Sequence, residues 1–264
     1  MAKRELFSRV AGEGGHPTTA EIPRNARDDR SARFLRIGFA FAVVACVAST
    51  PPDAVASVSR SDGDYRRMER EIVDEINSAR TNPRAYANVI AELLPYFDGD
   101  VLRRPGMRPR QTVEGIAPAR QAIDALREQR PVGALNVTEG LALAARDHVN
   151  DQSRSGQTGH RSSDGTAPDA RADRYGTWAV SYSENIAYGQ FSRGADVVLS
   201  LIIDDGVPDR GHRRNIFDPS FNVVGVACGP HPRFGTTCVI EHAGLFISET
   251  AGAHDRARRN KPMM

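Results

Sequence analysis

Phe221 to Gly244 read FNVVGVACGPHPRFGTTCVIEHAG. Two runs rich in Val, Ile, Thr and Cys flank a segment of Pro, His, Arg and Gly, the pattern of two strands joined by a turn. A hairpin cannot stand alone in water and needs an apolar layer to lie on. The chain before it supplies that layer as helices. Asp64–Arg80, DYRRMEREIVDEINSAR, sets Tyr65, Met68, Ile72, Val73 and Ile76 at helical spacing with charges opposite. Asn82-Pro83 predicts a new helix, with Asn82 as its cap and Pro83 in its first turn, carrying Tyr86, Val89, Ile90 and Leu93-Leu94. A third is predicted over 119–130, with Ile123 and Leu126 inward, and a fourth after Pro131, capped near Thr138, with Leu141, Ala144, Ala145 and His148 or Val149 on one face. TWAVSYSENIAYG reads as a strand or extended segment and GADVVLSLIIDD as a short apolar helix. GVPDRGHRRNIFDP reads as a loop and a helical turn, and 98–115 and 156–176 as loops. There is no internal repeat. Helices first and a strand hairpin last predict one α+β domain over about residues 64–249, helices layered over a small antiparallel sheet.

Composition narrows the function. The 264 residues carry 35 basic and 33 acidic side chains, a formal net charge of +2, which argues against a nucleic-acid partner with its clustered basic face. The basic run LRRPGMRPR contains Pro and Gly and reads as a solvated loop.

Residues 1–32 are polar and Arg-rich. Arg33–Arg36 then precede Ile37–Ala48, a run of 12 apolar or small residues, with Ala54-Val55-Ala56 beyond it. A basic flank, a short apolar core and an A-x-A site predict a secretory signal over 1–56, with the mature chain beginning at Ser57 and a linker over 57–63. The run is short of the roughly 20 residues a membrane helix needs, so no span is expected in the mature chain. The leader's length leaves open a start downstream of Met1, and VVAC leaves open lipidation at Cys46. The expected location is secreted, periplasmic or envelope-associated. The tail over 250–264 is polar.

With Cys46 removed, Cys228 and Cys238 remain. An even count in an exported chain, on two predicted paired strands, favours a disulfide over two buried thiols.

The common catalytic signatures are absent: no G-x-S-x-G, H-E-x-x-H, G-x-x-x-x-G-K-[ST] or G-x-G-x-x-G occurs. Separated His and acidic residues in loop-like settings remain: His160 in TGHRSSDG, Glu184 in SENIA, Asp204 and Asp205 after the apolar helix, and His212 in DRGHRRNIF. Two imidazoles and two carboxylates suit a divalent ion such as zinc. They equally suit hydrogen bonding round a water. Locally, His160 has a Ser partner in its own loop, His212 has Asp209 near, and Glu184 has Arg213 or Arg214 within possible reach. Glu241 and His242 alternate on one strand, so one is expected to meet solvent, and both are left outside the set. His148 is read as a packing residue and His231 as a solvated turn residue.

Taken together, GHRSSDG, SENIAYG, GHRRNIF, FNVVGVACG and TTCVIEHAG resemble the CAP superfamily, or SCP-like domain, of cysteine-rich secretory proteins, insect antigen 5 and plant pathogenesis-related 1 proteins, and most closely its exported bacterial members. The likeness extends over roughly 66–248. It implies an α-β-α sandwich with a cleft lined by two His and two acids, placed here on His160, Glu184, Asp204 and His212. It departs from the family pattern in three places: Ser183 stands for a Gly, Asp204 for a Glu one methylene longer, with Asp205 as its rival, and Leu201 for an aromatic. The resemblance implies a binding protein for a divalent metal, zinc foremost, and a small-molecule, peptide-like or lipid ligand. Two other readings stand beside it: a metal-dependent hydrolase with Glu184 as general base, and an interaction scaffold without catalysis.

Overall fold

The structure is a computed structural model that describes residues 60–248. The predicted leader, its cleavage site, Cys46, residues 57–59 and the tail lie outside the described residues.

In chain order the helices and strands are α1 (Asp62–Thr81), α2 (Pro83–Ala91), β1 (Phe97–Asp98), β2 (Val101–Leu102), β3 (Arg110–Gln111), α3 (Ala117–Glu128), β4 (Asn136–Val137), α4 (Glu139–Ser155), α5 (Pro168–Ala172), β5 (Gly176–Gly189), α6 (Gly194–Ile203), α7 (Gly211–Phe217), β6 (Val223–His231) and β7 (Gly235–Ser248). Ser61 caps α1 in a reciprocal capping box with Asp64. The last residues of the expected linker are therefore helical. Asn82 caps α2 by accepting from the Ala85 amide, with Pro83 behind it, as its sequence predicts.

The main sheet has the order β4-β6-β7-β5. β6 and β7 form the antiparallel hairpin read from the sequence, and Cys228 pairs with Cys238 across it in a disulfide. β5 runs antiparallel along the other side of β7 as an edge strand, and the short β4 lies parallel to β6.

Both faces of this sheet are covered. One carries Ala187, Val224, Val226, Cys228, Cys238 and Ile240 into a core with α1, α6 and α7, backed by α2 and α3. The other carries Tyr182, Ile186, Ala227, Val239 and Ala243 against α4 and α5. This is an α-β-α sandwich, as expected. Full burial of each such large apolar side chain contributes roughly 1.5–3 kcal/mol. At Gly225 a Cβ would meet the backbone of Leu141 and Ala142 at 2.2 Å, so glycine is what lets α4 lie directly on β6.

Two segments read as loops hold regular structure. Within 98–115, β1, β2 and β3 form a small antiparallel sheet. Its strands are two residues long, too short for any period to register. Within 156–176, α5 begins with Pro168 at its first turn and carries a buried Arg171.

Candidate functional site

The site is built around two adjacent residues of the edge strand β5. Side chains alternate along a strand, so Glu184 and Asn185 leave opposite faces. Glu184 points to the α4–α5 side and Asn185 to the α7 side.

On the first side, Glu184 is buried and accepts from two side chains. His160 Nδ1 lies 2.7 Å from its Oε1, and Arg171 Nη2 hydrogen-bonds its Oε2. A carboxylate only accepts, so His160 carries its proton on Nδ1, and Nε2 keeps its lone pair. His160 Nε2 has no hydrogen bond to another described residue, and the side chain is 31% exposed. Burial holds the His160 pKa below the ordinary imidazole value, and the Arg171 charge reinforces the shift.

The loop bearing His160 is pinned from three elements. From α4, His148 Nε2 and Gln152 Nε2 each sit 2.9 Å from the Gly159 carbonyl. From β5, the Tyr188 hydroxyl accepts from the Gly159 amide at 2.9 Å. From α5, Arg171 donates to the His160 carbonyl at 2.9 Å, and its Nη1 also lies 3.3 Å from both Ser162 Oγ and the Thr166 carbonyl. His148 is fully buried and its pKa is lowered to about 4, first by burial and then by Arg171, so it stays neutral while it holds the loop.

On the other side, α6 ends at Asp204 with φ 60°, a left-handed conformation that Asp tolerates better than most residues. That turn aims the carboxylate at the start of α7. It accepts from the His212 amide at 3.0 Å and from His212 Nδ1 at 2.6 Å. The shorter side chain therefore reaches its partner because the backbone turns toward it. Asp205 is used elsewhere, accepting from the Val113 and Glu114 amides at 2.8 and 2.9 Å. Arg213 is buried and donates to the carbonyls of Ile202 and Ile203, closing the end of α6. Asn185 Nδ2 donates to the His212 carbonyl at 3.1 Å, and Asn215 donates to Asn185 Oδ1 at 2.8 Å. Thus Glu184 holds the side chain of His160, and the next residue holds the backbone of His212.

The four predicted residues accordingly form two His–carboxylate pairs. Glu184 and Asp204 have both oxygens committed, so they orient the imidazoles, as outer-shell carboxylates do beside metal-bound histidines. Of the four side chains read from the sequence as a metal shell, the two carboxylates are turned to their own partners, and the two imidazole Nε2 atoms have no described hydrogen-bond partner. Among the described residues, no group of three or more His, Cys, Asp and Glu side chains is placed to hold a metal ion. A resident zinc takes three or four protein ligands, so the pairs fit a metal only as a partial shell.

Three sequence expectations change. The arginine on Glu184 is Arg171, not Arg213 or Arg214; Arg214 pairs with Asp209. Glu241 and His242 are both fully buried, because helices cover both faces of the sheet and alternation does not lead to solvent. His231 is 2% exposed, packed between Tyr188 and Phe234. His148 is a buried packing residue, as read.

The model of the cysteine-rich secretory protein family, CAP, matches residues 120–241, a span that holds His160, Arg171, Glu184, Asp204, His212 and Glu241. Three solved structures are similar in part. An extracellular protein containing an SCP domain from Bacillus anthracis str. Ames is 20% identical, with 47% of this chain and 38% of that one covered and a TM-score of 0.35. An outer surface protein from Borrelia burgdorferi is 17% identical, with 48% and 89% covered and a TM-score of 0.37. A cysteine-rich secretory protein from Staphylococcus aureus subsp. aureus Mu50 is 12% identical, with 60% and 48% covered and a TM-score of 0.34. This chain therefore spans 38% of the length of the first of these. No curated protein matches the chain. Over residues 120–241 the chain is similar to the CAP domain of the cysteine-rich secretory protein family.

Proposed function

We propose that this is an exported binding protein whose cleft presents His160 Nε2 and His212 Nε2 to a ligand. The supporting observation is that each imidazole is fixed through Nδ1 by its own buried carboxylate, leaving Nε2 as an acceptor. Such a nitrogen accepts a hydrogen bond or coordinates a metal. His160 and His212 are the residues that would hold a divalent ion such as zinc, which would supply a Lewis acid and open positions for donors of a peptide-like or lipid ligand. Two imidazoles fall short of a closed shell, so the ion is expected to be exchangeable and its uptake to strengthen when a ligand completes the coordination.

Binding fits the site better than hydrolysis with Glu184 as the base. Both oxygens of Glu184 are engaged, one by Arg171 and one by His160, and neither takes up a proton from water or substrate without losing a partner. Export rests on the basic-apolar-small pattern over 33–56 and on the Cys228–Cys238 disulfide, a bond that persists in oxidising compartments. Among the described residues no helix is long and apolar enough to cross a membrane.

Calorimetric titration of zinc into the full chain, beside a His160→Ala and His212→Ala double variant, tests the reading. Uptake by the wild-type chain that disappears in the double variant is expected. Equal uptake by both, or none by either with and without a panel of peptides and lipids, would sink it.

A further inference from the structure

Behind Glu184, and outside the four residues suggested by the sequence, lies a second carboxyl. Glu241 stands directly opposite Glu184 across β5 and β7, on the same face of the sheet, and its side chain is 0% exposed. One guanidinium serves both carboxyls. Arg171 hydrogen-bonds Glu184, but approaches Glu241 Oε1 only to 3.8 Å, beyond hydrogen-bonding range. Glu241 Oε1 has no hydrogen-bond partner. An ionised carboxylate left so in the interior is costly, whereas a neutral acid is not.

The other oxygen shares a single donor with a backbone carbonyl. Tyr182 Oη lies 2.6 Å from Glu241 Oε2 and 2.9 Å from the Pro168 carbonyl. A tyrosine hydroxyl has one hydrogen, and a carbonyl can only accept. That hydrogen serves one acceptor at a time, so Tyr182 cannot satisfy both the Pro168 carbonyl and an ionised Glu241.

We infer that Glu241 is a neutral carboxylic acid, and that it acts as a positioning residue by leaving the single negative charge of the pair on Glu184. With Glu241 neutral, Arg171 is balanced by Glu184 alone, and Glu184 keeps the charge that orders His160. The groups facing Glu241 are Tyr182 and Glu184 from β5, Arg171 from α5 and His160 from the loop before it, with His148 on α4 beyond; its neighbour on β6 is Gly225, which carries no side chain. Burial and the Glu184 charge both push the Glu241 pKa well above the usual carboxylate value, with Arg171 opposing, in the direction that one guanidinium shared by two carboxyls requires. The inference does not depend on what the cleft binds.

Glu241→Gln, the shape of the neutral acid, tests it. A carboxyl whose folded pKa lies above its unfolded value contributes stability that is full below the unfolded value and is lost as pH rises. Wild type should therefore lose melting temperature relative to Glu241→Gln from about pH 5 to about pH 8, with the variant at least as stable at the upper end. Infrared spectra of wild type at neutral pH should show a protonated-carboxyl carbonyl band that Glu241→Gln lacks. A Glu241→Gln chain that fails to fold or melts below wild type at every pH would overturn the inference. So would a wild-type spectrum without that band.

Discussion

At the scale of single residues, the site depends on a buried guanidinium that is inconspicuous in the sequence. Arg171 sits in PDARADR, a polar stretch with no apolar period, and a composition of this kind reads as solvated loop. Nothing local to that stretch shows that Arg171 ends fully buried, bridging Glu184 to the backbone of the His160 loop. His160, Glu184 and His212 were legible because recognisable motifs surround them. Glu241 was not, because alternation on a strand says which residues share a face and not whether that face meets water. Removing Arg171 leaves the Glu184 charge uncompensated in the interior. Arg171→Leu should cost about 3–5 kcal/mol in denaturant unfolding, and Arg171→Lys should recover little of it, because an ammonium lacks the planar fork that reaches several acceptors at once.

His242 gives a second test at this scale. It is fully buried, neither ring nitrogen has a hydrogen-bond partner, and burial followed by Arg80 lowers its pKa to about 3. A histidine held below its unfolded value stabilises the fold fully above about pH 6.5, and that contribution is lost as pH falls toward the folded value. His242→Phe removes this dependence. Thermal melts should show the variant gaining on wild type between the ordinary value of 6.5 and about 3, with no such trend above it.

At the scale of elements, the α6–α7 corner shows what sequence reading reached and where it stopped. The apolar run 197–203 announced α6, and GHRRNIF announced a helical turn. The choice between Asp204 and Asp205 depends on one left-handed residue, which no period encodes. Because Asp204 reaches His212 through that backbone turn, a longer acid should overshoot. Asp204→Glu should lower stability by about 1–2 kcal/mol, whereas Asp204→Asn should keep the corner and lose only the charged acceptor. Comparing their melting temperatures checks this. Arg80 plays a similar structural part at the end of α1. It is fully buried and donates to the carbonyls of Gly133, Ile216, Asp218 and Phe221, tying the α7–β6 connection to the first helix. Arg80→Met strands these acceptors and should cost about 3–5 kcal/mol on the same assay.

At the scale of the whole molecule, the architecture was legible where patterns were long. Helical stripes over α1 and α4 and the hairpin pattern over 221–243 place helices against a sheet. The two-residue strands β1–β3 and the five-residue α5 were not legible, since each is shorter than the period that would identify it. The disulfide joins residues with a sequence separation of 10, directly opposite in the β6–β7 hairpin. Loop closure of that length limits the unfolded chain by about 3 kcal/mol. Reduction, or a Cys228→Ser and Cys238→Ser double change, should lower the unfolding midpoint accordingly without dissolving the fold, since the sheet is packed on both faces.

Buried Glu184 and Asp204 each hold an imidazole through Nδ1, which leaves two Nε2 atoms as acceptors. Long-range proton–nitrogen NMR of the histidine rings at about pH 8 measures this directly, because the two neutral tautomers differ in which nitrogen carries hydrogen. His160 and His212 should each appear with Nδ1 protonated and Nε2 bare. Rings protonated at Nε2, or exchanging freely between the two forms, would contradict the account.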